Sequence, residues 1–183
     1  MQIKNRKKLI IICLLSLFLF NINLSAEEFD ISAKEITIDN KNQILVGKGS
    51  VLAQDSEGKR IYANKITYEK SKEFLLAEGE VKIVDKDGNI LETDKATYDK
   101  INEKIVTYNN TELILKEGYK LVTKNVLYDT RKKILSSNDN SILTDNDENY
   151  IETEMFQYHI KSNLFSSVGK IKIIDMKKNK YFF

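Results

Sequence analysis

Histidine and cysteine are almost missing from this 183-residue chain, with one of each, His159 and Cys13, and proline and tryptophan are missing altogether. Each shortage removes a class of function. Metal centres built from His and Cys are excluded by count. A Ser-His-Asp arrangement would have to run through His159, which sits between Tyr158 and Ile160 in a strand-like stretch, where an ordinary sheet residue is expected. There is no phosphate-binding glycine loop; the glycines fall at turns and in one column of a repeat. The lack of proline suits a chain that is nearly all paired strand, since proline would remove ladder donors. After Ala26 there is no long apolar run, so no second membrane helix is expected. Paired carboxylates of the glycosidase kind have no distinguished position. The acidic turn Asp145, Asp147, Glu148 reads as a solvated turn before it reads as a loose calcium site. The expectation is no enzyme, no metal and no cofactor.

What is present begins with a targeting pattern. Lys4, Arg6, Lys7 and Lys8 form a basic start, Leu9 to Phe20 an apolar run of twelve residues, and Ser25 and Ala26 a small-residue exit. This reads as a secretory signal peptide over 1–26, too short to favour a permanent span of about 20 residues. Cys13 lies inside the apolar run, so the remaining chain would have no cysteine and no disulfide. Residues 1–26 carry four basic and no acidic side chains; without them 25 basic residues face 27 acidic ones, a net charge of −2. A basic footprint for nucleic acid is therefore lacking. Residues 27–183 suit one domain, and at about 150 residues roughly 68–70% of the chain surface can be buried.

Those residues repeat. Ile61 to Ile90, IYANKITYEKSKEFLLAEGEVKIVDKDGNI, aligns without gaps with stretches beginning at Ile31, Leu91, Leu121 and Ile151. The eighth position of each unit is Ile38, Tyr68, Tyr98, Tyr128, Tyr158, and the fifteenth is Leu45, Leu75, Ile105, Leu135, Phe165. A period of thirty residues points to a stacked or meandering architecture. Each unit holds two strand-like runs, such as Ile61 to Tyr68 and Phe74 to Val84, separated by polar turns such as EKSKE and DKDGN. These read as antiparallel hairpins. The first run changes phase midway, from Ile61 and Ala63 to Ile66 and Tyr68, which implies a bulge or bend repeated at one level of the sheet. The second run alternates more cleanly: Leu75, Ala77, Gly79, Val81 and Ile83 share a face. That face is small at its centre, with Gly47, Ala77, Thr107, Ser137, Ser167 and then Gly49, Gly79, Asn109, Asp139, Gly169. Either two sheet faces approach there or a guest occupies the space. The tyrosine column reads as rim packing with the hydroxyls outward, ahead of a sugar-stacking ladder. A lipid-facing barrel is disfavoured because Asn109 and Asp139 would meet hydrocarbon. Five-residue polar turns disfavour a parallel solenoid. Two curved antiparallel sheets facing each other remain.

Ala63-Asn64-Lys65-Ile66-Thr67-Tyr68, followed by Leu76-Ala77-Glu78-Gly79-Glu80-Val81, resembles the signature of the OstA-like domain of the lipopolysaccharide-transport (Lpt) proteins, and so does Asp94-Lys95-Ala96-Thr97-Tyr98-Asp99. The resemblance spans Phe29 to about Asp175 and weakens in the last two units. It implies an all-β fold, an open, twisted antiparallel β-jelly roll built from five 30-residue hairpin repeats. It also implies a periplasmic place associated with the outer membrane. The implied partners are lipopolysaccharide, other Lpt jelly-roll domains joined by edge-strand pairing, and the outer-membrane translocon. On this reading the acyl chains lie against an interior lined by Leu45, Leu75, Ile105, Leu135, Phe165, Val51, Val81, Ile83, Leu113 and Leu143. Two family members fit: the soluble bridge protein and the N-terminal domain of the translocon protein. The start of a sixth unit at Tyr181, and the likeness of MKKNKYFF to a junction, favour the second. A structural repeat with a filled core, such as an adhesin or scaffold segment, is the competing reading.

Overall fold

The computed structural model describes residues 29–183, so the expected signal segment lies outside the described residues. The described chain is an up-and-down meander: β1 (Asp30–Ser32), β2 (Glu35–Asp39), β3 (Ile44–Gln54), β4 (Arg60–Glu69), β5 (Phe74–Val84), β6 (Ile90–Asp99), β7 (Lys104–Ile114), β8 (Lys120–Lys124), β9 (Leu127–Asp129), β10 (Ile134–Ser137), β11 (Ser141–Thr144), β12 (Tyr150–His159), β13 (Leu164–Ile174) and β14 (Lys180–Phe182). Single 3₁₀ turns at Lys70–Lys72 and Ile160–Ser162 are the helical segments among the described residues. All strands join one sheet, and every pairing is antiparallel. The pairs β1/β2, β8/β9 and β10/β11 are each one strand interrupted at its middle.

The sheet is bent along one line, and the bend is written into the registers. Across β4 and β5, Tyr62 faces Lys82 and Lys65 faces Glu78, so three steps on one strand match four on the other. A mismatch of one residue, two steps against three, recurs in the pairs β3–β4, β5–β6, β6–β7 and β12–β13. The phase change read in the first run marks this bend. The extra residue, however, belongs to the second run. There Gly49 and Gly79 have φ of 75° and 76°, and the residues after them, Ser50 and Glu80, also have positive φ. Two left-handed residues absorb one extra step while leaving the inward parity of β5 unbroken, which is why its alternation looked clean. This corrects one expectation. Gly49, Gly79 and Asn109 do not face the core; they turn the chain at the outer corner, where a Cβ on Gly79 would meet Asn64 at 3.0 Å.

Residues opposite one another in a sheet share a face, so the registers order the interior into rows. One row runs Ile38, Leu45, Tyr68, Leu75, Tyr98, Ile105, Tyr128, Leu135, Tyr158, Phe165. Beyond the bend a second runs Ala53, Ile61, Ile83, Leu91, Leu113, Leu121, Leu143, Ile151. Between them, along the bend itself, lie the small residues. Gly47 is buried there, and a Cβ on it would meet Val51 Cγ1 at 3.1 Å and Ala33 Cβ at 3.2 Å. The small column is therefore a place of close approach between two halves, and not a cavity.

From the third unit on, hydroxyls replace alkyl groups on the bend. Thr107 Oγ1 accepts the Val126 N–H at 2.9 Å and pairs with Thr111 Oγ1 at 2.7 Å. Thr123 pairs with Ser141, and Thr153 with Ser167, at 2.7 and 2.6 Å. Ser137 donates to the Lys124 carbonyl at 2.6 Å. Where the backbone ladder breaks, these side chains satisfy the groups it strands, as buried polar groups require. Among the described residues no buried side-chain polar atom lacks a partner. The outer face carries cross-strand ion pairs such as Lys65–Glu78 at 2.9 Å and Lys82–Glu92 at 2.8 Å, each worth about 0–1 kcal/mol in solvent.

Candidate functional site

Bending brings two sets of turns toward each other. One set, at 55–59, 85–89, 115–119, 145–149 and 175–179, ends the second half of the sheet. The other, at 70–73, 100–103, 130–133 and 160–163, ends the first half. The seam between them is the open side of the roll.

Most turns of the first set share one chemistry. Asp145 Oδ1 accepts the N–H groups of Asp147 and Asn149 at 2.9 Å each, and Asn149 Nδ2 donates to Asp145 Oδ2 at 2.8 Å. Asp85–Asn89 and Asp175–Asn179 repeat this, and Asp55–Lys59 varies it with an ion pair. Asn149 and Asn179, with the turn N–H groups, hold the Asp145 and Asp175 carboxyls below the usual carboxylate range. The Asp145 carboxylate is thus committed to its own turn, and among the described residues no three metal-ligating side chains converge. His159 Nε2 lies 3.1 Å from Gln157 Oε1 at the end of β12.

The turn 115–119 departs from this. Leu115 and Tyr119 stand where the others place Asp and Asn or Lys, and the bonds within the turn are backbone ones, from Leu115 N–H to the Tyr119 carbonyl and from Gly118 N–H to the Leu115 carbonyl, at 2.8 Å each; the adjoining turns add Asn89 Oδ1 accepting the Lys116 N–H at 3.0 Å and Asn146 Nδ2 donating to the Glu117 carbonyl at 3.2 Å. Leu115 is buried and Tyr119 half-buried. They border an open apolar cleft of ≈ 290 Å³ between the third and fifth units. Its walls are Leu113, Leu121, Leu135, Leu143, Ile151 and Phe165, with Tyr158, Asn163 and Asp145 at the rim. Burial raises the Tyr158 pKa, and Glu117 and Tyr119 add to the rise. A small apolar neck of ≈ 30 Å³ lies alongside, sharing Leu113, Leu115 and Leu135 and reaching Ile83, Ile105 and Lys59.

The ten interior residues expected from the sequence therefore fall in four places. Leu113, Leu135, Leu143 and Phe165 wall the cleft; Ile83 and Ile105 line the neck. Val51, Leu75 and Val81 are 1% exposed each and sealed in side-chain packing, and Leu45 is half-buried near the N-terminal end. Sequence reasoning did not single out Leu115, Tyr119, Leu121 or Ile151. The signal for the first two was available, since the column Asp55, Asp85, Leu115, Asp145, Asp175 breaks at Leu115 alone.

The seam differs toward the N-terminus. Tyr68, Tyr98, Tyr128 and Tyr158 are buried as whole residues, and the hydroxyls of the last three meet Lys59, Lys133 and Asn163, so they are not turned outward at a rim as expected. Phe29 packs edge-on against Tyr68 and Tyr98, with centroids 5.5 and 5.9 Å away. The buried Lys59 ammonium donates to Tyr98 OH at 3.0 Å and to Asp55 at 3.2 Å, and lies 4.2 Å from the Tyr98 ring centroid. Burial alone would lower the Lys59 pKa; Tyr98 and Asp55 outweigh it, and the net shift is upward. Burial is also the first cause of a Tyr128 pKa pushed up to about 12, with Asp85 adding to it. A charged cleft of ≈ 390 Å³ opens outside this part of the seam, with Asp85, Asp87, Lys100, Arg131 and Lys133 among its walls.

No protein-family model and no curated protein matches the chain. Among solved structures it is similar to LptH of Pseudomonas aeruginosa, the LptA-homologous periplasmic component of the conserved lipopolysaccharide transport device. That likeness has 11% identity over 86% of this chain and 94% of that one, with a TM-score of 0.44. A weaker likeness, 8% identity over 84% and 97% with a TM-score of 0.17, is to the TCP10 domain of Danio rerio CPAP in complex with a STIL peptide. Superpositions this loose leave the function of the chain to its own geometry.

Proposed function

We propose that the protein is a periplasmic lipopolysaccharide-binding and transport module, which shields acyl chains in the apolar interior of the bent sheet and joins neighbouring jelly-roll domains to the outer-membrane translocon. The observation that carries this reading is the ≈ 290 Å³ cleft, walled by Leu and Phe side chains and opening beside an apolar turn in a seam otherwise edged with charge. Hydrocarbon transfer into such a site needs only apolar area, at about 25 cal/mol per Å², and no reaction. The sheet's first edge adds support. Ile36 and Ile38 continue the interior rows but are 46% and 60% exposed at this edge. Unprotected edges of this kind pair with another strand.

One observation favours a structural scaffold or adhesin segment without a lipid ligand: the interior of the first two units is filled by Val51, Ile61, Ile66, Leu75 and Val81. A photo-crosslinking side chain at Leu143 or Phe165 separates the two readings. Capture of lipopolysaccharide in cells from these positions is expected. Capture from the outward Lys82 alone, or from neither, would overturn the transport reading.

A further inference from the structure

We propose that Lys59, backed by Phe29, is the end-stop that sets how much hydrocarbon the interior accepts; this rests on the reading of the cleft as an alkyl-chain site. The repeat supplies the argument. Phe29, Lys59, Asn89 and Tyr119 occupy one column, thirty residues apart, at the mouth of the seam. Tyr68, Tyr98, Tyr128 and Tyr158 form the facing column. Phe29 meets Tyr68, and Lys59 meets Tyr98. Asn89 turns back to Asp85 at 2.8 Å and leaves Tyr128 to Lys133, 3.5 Å away. Moving the cleft two units toward the N-terminus puts its walls at Asp55, Lys59, Ile61, Leu75 and Tyr98. Ile83, Leu91 and Ile105 belong to the same shifted set, and with Lys59 they line only the ≈ 30 Å³ neck; the Lys59 side chain, fixed through Asp55 and Tyr98, stands in the slot, with the Phe29 ring against Tyr98. The chain fills its first slot with its own side chains and leaves the equivalent later slot open.

The sizes agree. An apolar cavity of about 150 Å³ takes up one benzene, so the ≈ 290 Å³ cleft matches roughly a dozen carbons. The neck beyond it, ≈ 30 Å³, has room for about one water and for no further chain. It ends on an ammonium whose ion pair would have to be broken for hydrocarbon to pass.

The test uses n-alkyl sulfonates of increasing length, displacing a fluorescent alkyl probe from the full protein. Affinity is expected to rise about fourfold per methylene and then level off near a dozen carbons. In the paired variant Asp55→Leu with Lys59→Met, which leaves no buried charge unmatched, the levelling moves to longer chains. An unchanged break point, or no break in the natural protein, overturns the end-stop while leaving the cleft. No binding at any length overturns the cleft and the end-stop together. As a second measurement on the natural protein, alkyl chains with a terminal diazirine are expected to label Leu113 or Leu135, where the cleft meets the neck. Labelling of Ala53 or Ile61, beyond Lys59, overturns the end-stop whether or not the variant folds.

Discussion

Giving the third turn the chemistry of its neighbours should close the cleft without unfolding the protein. The perturbation is Leu115→Asp with Tyr119→Asn. Removing the buried Leu115 and half of a buried Tyr119 costs about 3 kcal/mol of apolar burial. The new pair gains the bonds seen at Asp145 and Asn149: two N–H groups onto one carboxylate oxygen and an amide onto the other. Three such bonds contribute about 1 kcal/mol each, so the stability change should stay within about 1 kcal/mol of zero. Binding should not survive so well. If the two side chains cover roughly 80 Å² of a guest, their loss costs about 2 kcal/mol, close to thirtyfold in affinity, before the cost of placing a carboxylate at the mouth. Displacement of a fluorescent alkyl probe and urea unfolding on the same sample measure both quantities. An affinity within twofold of the natural protein would refute the assignment of this turn as the mouth. A fall in stability beyond about 3 kcal/mol would refute the claim that the turn is interchangeable with its neighbours.

Two further outcomes test the fold. Thr107→Val leaves the Val126 N–H buried without an acceptor, at a cost of about 1–3 kcal/mol, and removes a bond to Thr111 worth about 1 kcal/mol more; Thr107→Ser keeps both and should lose only about 1 kcal/mol for the methyl group. Urea midpoints at constant slope compare the two, and a valine variant as stable as the serine one would show that the hydroxyl ladder is not needed. Stability should also fall on the alkaline side. Tyr128 and Lys59 both have raised pKa values in the folded state, so their contributions are complete below the unfolded values, 10.0 and 10.5, and are lost as pH rises toward the folded ones, about 12 for Tyr128. A stability profile flat from pH 9 to about 12 would contradict the burial of Tyr128 and the pairing of Lys59 with Tyr98 and Asp55.

The repeat was legible because its columns are fixed by backbone requirements that every unit shares. Carboxylates recur at turn starts because an Asx turn needs an acceptor there, and Tyr and aliphatic residues alternate along one row because register places them side by side. The bend was legible as a phase change between Ala63 and Ile66. The owner of the extra residue was not, since two successive left-handed residues in β5 preserve inward parity and leave no mark on a hydrophobic pattern. The site was half legible. Alternation finds inward residues, but it does not tell those walled by neighbours, such as Leu75, from those facing open space, such as Leu143. That difference depends on what crosses the seam from turns far away in sequence.

In a chain of units that share one register, the common columns carry the architecture, and a departure from a column calls for its own physical account. The hydroxyls on the bend are one departure, and they have a structural account, since they bond the groups left by broken strands. Leu115 and Tyr119 exchange the side-chain bonds that fasten the other turns of their set for apolar packing, Leu115 inside the core and Tyr119 half-buried against it at the border of the cleft. Lys59 and Phe29 mark the opposite change, filling the matching slot two units earlier. A scaffold would gain by treating both slots alike, whereas a carrier for a finite hydrocarbon segment needs one open and one shut.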